Sequence, residues 1–324
     1  MDIAQDLERY KNKPEYRSLS VRRLAEAIMS ETNNNFHGYK NPDTLRRAIP
    51  SLLKSKPNKG IDLDETFNID IPEGFFEDRT PYVLAPIYNN VLVANDIHIP
   101  YHNREALILA LRYGHEHKVN AIILNGDVTD CYQISRFSKK PTAPSLKTEL
   151  DTTRQILEAI RDKFPNAKII WKDGNHDERL ELYIRNQAPA LYDLDERPTM
   201  RTLLGLDKLR IDYVTDKRII KVGKLNVIHG HEILSGAGAV NLARTVRLKA
   251  NANVMFGHFH KTQEDISTNI EHETTGSWAV GCLCDLSPDY MPINGWNLGF
   301  ARVQTEQGGN FEVENRKIIG NAIK

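Results

Sequence analysis

Five short apolar runs between residues 91 and 256 each end in or just before a cluster of Asp, Asn, Gly and His. Val91-Leu92-Val93 leads into Asn95-Asp96-Ile97-His98, Ala121-Ile122-Ile123-Leu124 into Asn125-Gly126-Asp127-Val128-Thr129-Asp130, and Lys168-Ile169-Ile170-Trp171 into Gly174-Asn175-His176-Asp177. Leu225-Asn226-Val227-Ile228 leads into His229-Gly230-His231, and Asn253-Val254-Met255-Phe256 into Gly257-His258-Phe259-His260. Runs this short and this rich in β-branched residues predict strands, and the amphipathic stretches between them predict covering helices. In an open α/β sheet the residues just beyond the carboxyl ends of the strands converge on one rim, where ligands bind. Five segments are therefore expected to aim at one site. Taken singly, each has a structural explanation: a turn at Asp96, a loop at Gly126-Asp127, a hydrogen-bonded imidazole at His229 or His258. Their conjunction at five strand ends makes a ligand site the stronger reading. Hard oxygen ligands mixed with imidazoles suit Mn, Fe or Zn, and two carboxylates with four histidines exceed what one four-coordinate ion can use.

The clearest helix has Leu146, Leu150, Thr153, Leu157, Ile160 and Phe164 on one face, Ser145 as its N-cap and Pro165 closing it. After residue 270, the alternation at 271–275 and the runs 299–303 and 311–313 predict antiparallel strands. Upstream, Val21, Leu24, Ala25 and Ile28 follow Ser20 as a helix N-cap, and Asn41-Pro42 opens a second helix with Leu45, Ala48 and Ile49 on one face. Pro50 is expected to end or kink it. Two short helices exposing Arg22, Arg23, Arg46 and Arg47 suit a helix-turn-helix that binds DNA, and equally a helical cap used for assembly.

Charge divides the chain in the same place. Its 324 residues carry 43 basic and 43 acidic side chains, so the whole molecule has no general attraction for nucleic acid. Residues 1–60 hold twelve Lys/Arg against seven Asp/Glu, whereas residues 61–81 hold seven Asp/Glu against Arg79. The division expected is a helical module at 1–60, an acidic Pro/Gly linker at 61–88 and a catalytic domain at 89–324. The charged N-terminus MDIAQDLERYKNK offers no secretory signal, and no apolar run is long enough for a bilayer. With three cysteines, Cys131, Cys282 and Cys284, a disulfide framework is excluded and a cytoplasmic location expected. Cys282-x-Cys284 is read as a pair of packed thiols rather than a soft-metal site.

The series D-x-H, G-D-x-x-D, G-N-H-D, H-G-H and G-H-x-H resembles the full motif set of the calcineurin-like metallophosphoesterases, over residues 89 to about 318. The stretch Gly174-Asn175-His176-Asp177-Glu178-Arg179 is similar to bacterial and phage-encoded members. The resemblance implies a sandwich of two mixed β-sheets flanked by helices, here with a small all-α module in front. It also implies a hydrolase with two divalent ions, Mn²⁺ foremost and Fe, Zn or Ni as alternatives. Asp96, His98 and His260 would hold one ion and Asn175, His229 and His258 the other, with Asp127 bridging them. A water between the ions would act as nucleophile near neutral pH. His176 would protonate the leaving oxygen, oriented by Asp130. His231 and Arg179 are candidate substrate contacts, although Arg179 equally suits a solvated helix face, and Asp177 is a candidate anchor for its turn. Protein Ser/Thr phosphatases of this superfamily carry an Arg after the second Asp of G-D-x-x-D. Here that position is Cys131, which weakens the phosphoprotein reading. Hydrolysis of a phosphodiester in nucleic acid or a nucleotide leads. A phosphomonoesterase for a small molecule or phosphoprotein is the alternative, and a DNA-binding regulator with a structural metal centre is the third.

Overall fold

The computed structural model describes residues 3–13, 16, 21–33, 35–52, 72, 74–192, 197–233 and 240–324. They form two compact units, Met1–Phe76 and Glu77–Lys324.

The first unit contains α1 (Ile3–Lys11), α2 (Val21–Glu31) and α3 (Pro42–Leu52). Leu7, Leu24, Ala25, Ile28, Met29, Phe36, Leu45 and Ile49 close its small core. Helix α1 falls within the helical module expected at 1–60 but was not singled out in it: it is only nine residues long and largely polar, so its apolar spacing is a faint signal. Asn41 caps α3 by accepting from the Asp43 N–H at 2.8 Å. The helix runs through Pro50 to Leu52 instead of stopping there. A proline in the last turn removes one hydrogen bond, and a helix end can spare it. Arg22 pairs with Glu26 and Arg46 with Asp43, both within their own helices. The proposed cap Ser20 and residues 61–71 of the acidic linker lie outside the described residues.

The second unit starts with β1 (Tyr82–Val83), β2 (Asn90–Ala94), α4 (Arg104–Glu116), β3 (Ala121–Asn125), α5 (Leu146–Lys163) and β4 (Lys168–Lys172). Next come α6 (Arg179–Gln187), α7 (Met200–Leu204), β5 (Ile211–Val214), β6 (Ile220–Val222), β7 (Leu225–Val227) and α8 (Leu242–Ala250). The chain ends with β8 (Val254–Phe256), β9 (Gln263–Thr268), β10 (Thr274–Ala279), β11 (Leu298–Thr305), β12 (Phe311–Ile319) and β13 (Ala322–Ile323). A seven-stranded sheet has the order β13-β12-β11-β2-β3-β4-β5, and a six-stranded sheet the order β1-β6-β7-β8-β10-β9. Both mix parallel and antiparallel pairs.

Strand alternation explains the layering. Val91, Val93, Ala121, Ile123 and Ile170 of the larger sheet pack against Val222, Leu225, Val227, Met255 and Trp278 of the smaller one. Their neighbours Leu92, Ile122, Leu124, Ile169 and Trp171 point the other way, into a core shared with α4 and α5. Val254, Phe256 and Ala279 meet Leu242 and Val246 of α8 on the outer face of the smaller sheet. The result is a helix–sheet–sheet–helix sandwich whose central strands β2, β3, β4 and β8 are buried on both faces, which is why they are apolar runs, whereas the edge strand β9 alternates.

Two expectations are corrected. Residues 82–83, assigned to the linker, are a strand: β1 pairs parallel with β6, and the Tyr82 hydroxyl donates to Asp212 at 2.6 Å. A two-residue strand between Pro81 and Pro86 is too short to show periodicity. The five motif strands also do not share the single open sheet assumed in placing their ends together, but divide between the two mixed sheets that the family resemblance implied, β2, β3 and β4 in the larger and β7 and β8 in the smaller. Among the described residues no helix is long and apolar enough to cross a membrane.

Candidate metal centre

The two facing sheets bring all five motif segments to one end of the sandwich, and backbone bonds lock them together. Asp96 N–H donates to the Gly126 carbonyl (3.1 Å), His98 N–H to the Asp127 carbonyl (2.8 Å) and Gly257 N–H to the His229 carbonyl (2.7 Å). Across the sandwich, the Asn125 side-chain amide donates to the Ile228 carbonyl at 2.8 Å. Two glycines permit the approach. A Cβ on Gly126, whose φ is +85°, would collide with the His229 ring, and one on Gly174 would collide with the Asp127 carboxylate.

Backbone strain concentrates here. Asp96, His98, Asp127, His258 and His260, five of the seven proposed ligands, have φ between 50° and 68°. A non-glycine residue in that region costs roughly 1–3 kcal/mol, and such residues cluster where surrounding structure holds them for a purpose. Each turn bends back sharply, which aims successive side chains at one point.

That point is the Asp127 carboxylate. Its Oδ2 lies 3.2 Å from His229 Nε2, 3.7 Å from His98 Nε2 and 3.9 Å from His176 Nε2. Asp96 Oδ1 lies 3.3 Å from His260 Nε2, and the His98 and His260 Nε2 atoms face each other at 3.3 Å. Asp127 shares one candidate ligand group with His98 and His176, and another with His229 and His258. Asp127, Asp96, His98, His229 and His260 are all buried.

The imidazoles are oriented for coordination. His98 Nδ1 donates to Asp130 Oδ1 at 2.9 Å and His229 Nδ1 to the Asn125 carbonyl at 2.9 Å, which turns both Nε2 atoms into the centre. Second partners of this kind fix the ring and tautomer of metal-binding histidines. His229 Nε2 and Asn175 Oδ1 are buried without a hydrogen-bond partner. Unpartnered ligand atoms between carboxylates and imidazoles are what divalent cations would satisfy, so the residues present fit the metals that the motifs imply.

The charges agree. Burial would raise Asp127, but His229 and His176 outweigh it and hold its carboxyl well below the usual range. Asp96 is lowered likewise, with His260 and His229 overcoming burial. Burial would lower His229, but Asp127 and Asp96 lift it to about 10. His258 falls to about 4 through burial and the neighbouring His229. Cations held here would balance the buried carboxylates and displace protons from the raised imidazoles of His229 and His260.

Around the ligands, Asp130 Oδ1 accepts from both His98 Nδ1 and His176 Nδ1, the latter at 3.0 Å. Burial would raise the Asp130 carboxyl, but these two imidazoles lower it. Arg179 does not lie on a solvated face: Nη1 donates to the Asp130 carbonyl (2.7 Å) and Nη2 to His176 Nε2 (3.0 Å). Asp177 is fully buried and accepts from the Thr129 hydroxyl and N–H and from the Gly174 N–H, joining the second and third motifs. His231 faces Glu178 Oε1 at 3.3 Å, at the side of His229 and His258. All three cysteines are free and buried, and Cys284 Sγ lies 3.8 Å from His260 Nδ1. Cys284 therefore lies against a proposed ligand and shares a candidate ligand group with His98 and His260, while Cys282 Sγ faces the Asn297 carbonyl.

Several residues that support the centre were missed. Glu232 accepts from the His229 N–H (3.2 Å) and the Gly230 N–H (2.6 Å) and pairs with Lys172 Nζ at 2.8 Å. Lys172 is completely buried, so this pair pins the His229 loop of one sheet to the end of β4 in the other. Burial pushes Asp173 up to about 8, with Lys172 only partly offsetting it. Glu149, buried on α5, accepts from the Cys131 N–H at 2.6 Å. Glu232 directly follows H-G-H, a signal that could have been followed. Lys172 and Glu149 have none, because a charged residue at a strand end or on a helix ordinarily faces water.

The profile of the family described as calcineurin-like phosphoesterase matches residues 90–262. The chain is 24% identical over 242 residues to the gene 54 protein of Mycobacterium phage L5, covering 71% of this chain and 94% of the phage protein. It is 22% identical over 248 residues to the gene 54 protein of Mycobacterium phage D29, with the same coverage of 71% and 94%. Solved structures with similarity include the phosphoesterase Yfce from E. coli, at 12% identity over 70% of this chain and 98% of that one with a TM-score of 0.32. Another is the Pseudomonas putida nuclease MPE, at 16% identity over 69% and 87% with a TM-score of 0.33. A family match across more than half the chain, spanning all five strand ends that carry the proposed ligands, establishes that this protein belongs to the calcineurin-like phosphoesterase family and is a phosphoester hydrolase.

Proposed function

We propose that the protein is a two-metal phosphodiesterase acting on nucleic acid or nucleotides. The observation that carries the two-metal part is the position of Asp127, whose Oδ2 faces His229 on one side and His98 on the other. A carboxylate has two anionic oxygens and can serve two cations at once. Asp96, His98 and His260 are assigned to one ion, and Asn175, His229 and His258 to the other. When bound, the ions supply an acidified water and clamp the attacking and leaving oxygens.

The chain's own side chains do the rest. His176 stands beside the centre and is the proposed proton donor to the leaving oxygen. Its Nδ1 is held by Asp130, which fixes the orientation of the ring. Arg179, now resting on His176 Nε2, is placed to release that atom and pair with a phosphate oxygen. His231 flanks the opposite side as a substrate contact. The diester preference rests on charge: a monoester dianion calls for further cations, and Cys131, buried and neutral, occupies the position of the phosphatases' arginine. The surplus of basic residues in 1–60 supports nucleic acid as the substrate and makes that module a candidate DNA-binding element.

The test is to strip the protein with a chelator and restore Mn²⁺, Fe²⁺, Zn²⁺ or Ni²⁺ singly. Each form is then assayed on aryl monoesters, aryl diesters and end-labelled DNA, with bound metal counted. The expectation is two ions per chain, Mn²⁺ restoring most activity, and diesters preferred. One ion per chain, or a monoester preference, overturns the respective part.

A further inference from the structure

Two loops leave the centre directly. One, 131–144, follows Asp130, and the other, 285–297, follows Cys284. An ion pair between Lys140 and Asp289 joins them. The second loop presents Tyr290 (70% exposed), Met291 (44%) and Ile293 (93%), and the first presents Phe137 (58%). The second loop reaches the site: the Trp296 ring packs edge-on to the proposed ligand His260 at 4.1 Å, and Tyr290 leans on Trp296 at 6.2 Å.

The loops are held in shape. The Asn294 side-chain amide donates to the Leu286 and Met291 carbonyls, both at 2.8 Å, and its oxygen accepts from the Trp296 N–H at 2.9 Å. Lys139 Nζ donates to the Phe137 carbonyl at 2.6 Å. The rings are thus displayed by ordered backbone. Basic groups come from outside the second loop, which itself carries Asp285 and Asp289: the Arg136 guanidinium lies 5.4 Å from the Phe137 ring centroid, and Lys261 directly follows His260. Exposed rings flanked by Arg136 and Lys261 beside the proposed phosphodiester centre match the chemistry of an unpaired strand, whose bases offer free faces while its backbone offers charge. Within a duplex those faces are already stacked on their neighbours.

We infer, on the nucleic-acid reading above, that these two loops are a stacking wall for single-stranded nucleic acid, with Tyr290 taking the base beside the scissile phosphate and Arg136 and Lys261 its flanking phosphates. Stacking of one base on one ring is worth roughly 5- to 150-fold in binding.

The experiment compares kcat/KM of the Mn²⁺-loaded full chain on three end-labelled oligonucleotides of one length: a thymidine strand, the same strand with abasic positions flanking the central phosphate, and a duplex. A small aryl diester is run alongside. The wild type should favour the base-bearing strand over the abasic strand at the central phosphate by roughly 5- to 150-fold, and over the duplex. Tyr290→Ala should erase the preference for bases, and Tyr290→Phe, which keeps the ring, should retain it. Matching thermal melts of the variants establish that folding is intact. Equal cleavage of base-bearing and abasic strands by the wild type, or a preference surviving in Tyr290→Ala, overturns the inference and leaves the rim as a protein-binding surface. Turnover of the aryl diester with no cleavage of any oligonucleotide removes the nucleic-acid reading beneath it. No turnover of any substrate removes the phosphodiesterase reading itself.

Discussion

Replacing Lys172 by Met should destabilise the catalytic unit by about 3–5 kcal/mol at neutral pH, the usual consequence of removing one partner from a buried ion pair. The structure leads independently to a similar figure. Burial would raise Glu232, but Lys172 and the nearby His231 overcome it and bring the carboxyl down to about 2 from its ordinary 4.5. At 1.36 kcal/mol per pH unit, that depression corresponds to about 3 kcal/mol of stability. The sign follows from the direction: a carboxyl with a lowered folded pKa contributes its stability above pH 4.5 and loses it as the pH falls toward 2. Denaturant unfolding of chelator-stripped protein between pH 7 and pH 3 checks both points. The gap between wild type and Lys172→Met should be widest at pH 7 and narrow on acidification. In a unit of this size each kcal/mol moves the melting temperature by roughly 2–4 °C, so the variant should melt about 10 °C lower. Lys172→Met with Glu232→Gln removes both charges and should recover at least half of the loss. A single variant within about 1 kcal/mol of wild type, or a double variant no better than the single, would refute the coupling of the two sheets through this pair.

Other outcomes follow from the same geometry. His176→Gln should keep its bound metal, because Asn175 is the assigned ligand, yet lose about 10²–10⁴-fold on alkyl esters or DNA and less on nitrophenyl esters; equal losses on both would sink the acid assignment. Asp127→Asn should lose most metal and nearly all turnover, as metal analysis and a diester assay would reveal. Burial, with Asp130 adding to it, lifts Glu149 to about 7, so the folded protein binds its proton more tightly than the unfolded chain and stability falls as pH rises from about 4.5 to 7. Glu149→Gln keeps an acceptor for the Cys131 N–H and should add about 2–3 kcal/mol at pH 8 with a flatter pH profile; unfolding curves without that gain would contradict it. A chain starting at Glu77 contains every proposed ligand and β1, and should hydrolyse small diesters about as well as the full chain. If residues 1–60 bind DNA, that truncation should flatten the salt dependence of DNA affinity, by roughly 0.9 in slope for each phosphate that the module neutralises.

The sequence by itself determined the family of this protein and, with it, phosphoester hydrolysis. Ligand-type residues at five strand ends were legible because strand periodicity and metal preference are local properties, readable a few residues at a time. Helix α5 was legible for the same reason, with Ser145 accepting from the Thr148 N–H as its cap and Thr153, Leu157 and Ile160 buried. Only the tertiary structure decided that β7 and β8 face β2, β3 and β4 from a second sheet, because strand pairing depends on which surfaces bury each other across a hundred residues or more. It also decided the left-handed backbone at five proposed ligands, which no side-chain pattern announces, and the burial of Lys172, Glu232 and Glu149. A charged residue in a sequence is read as solvated until folding encloses it. Enclosure is a sum over contacts from distant segments, and that sum is what the linear chain does not contain.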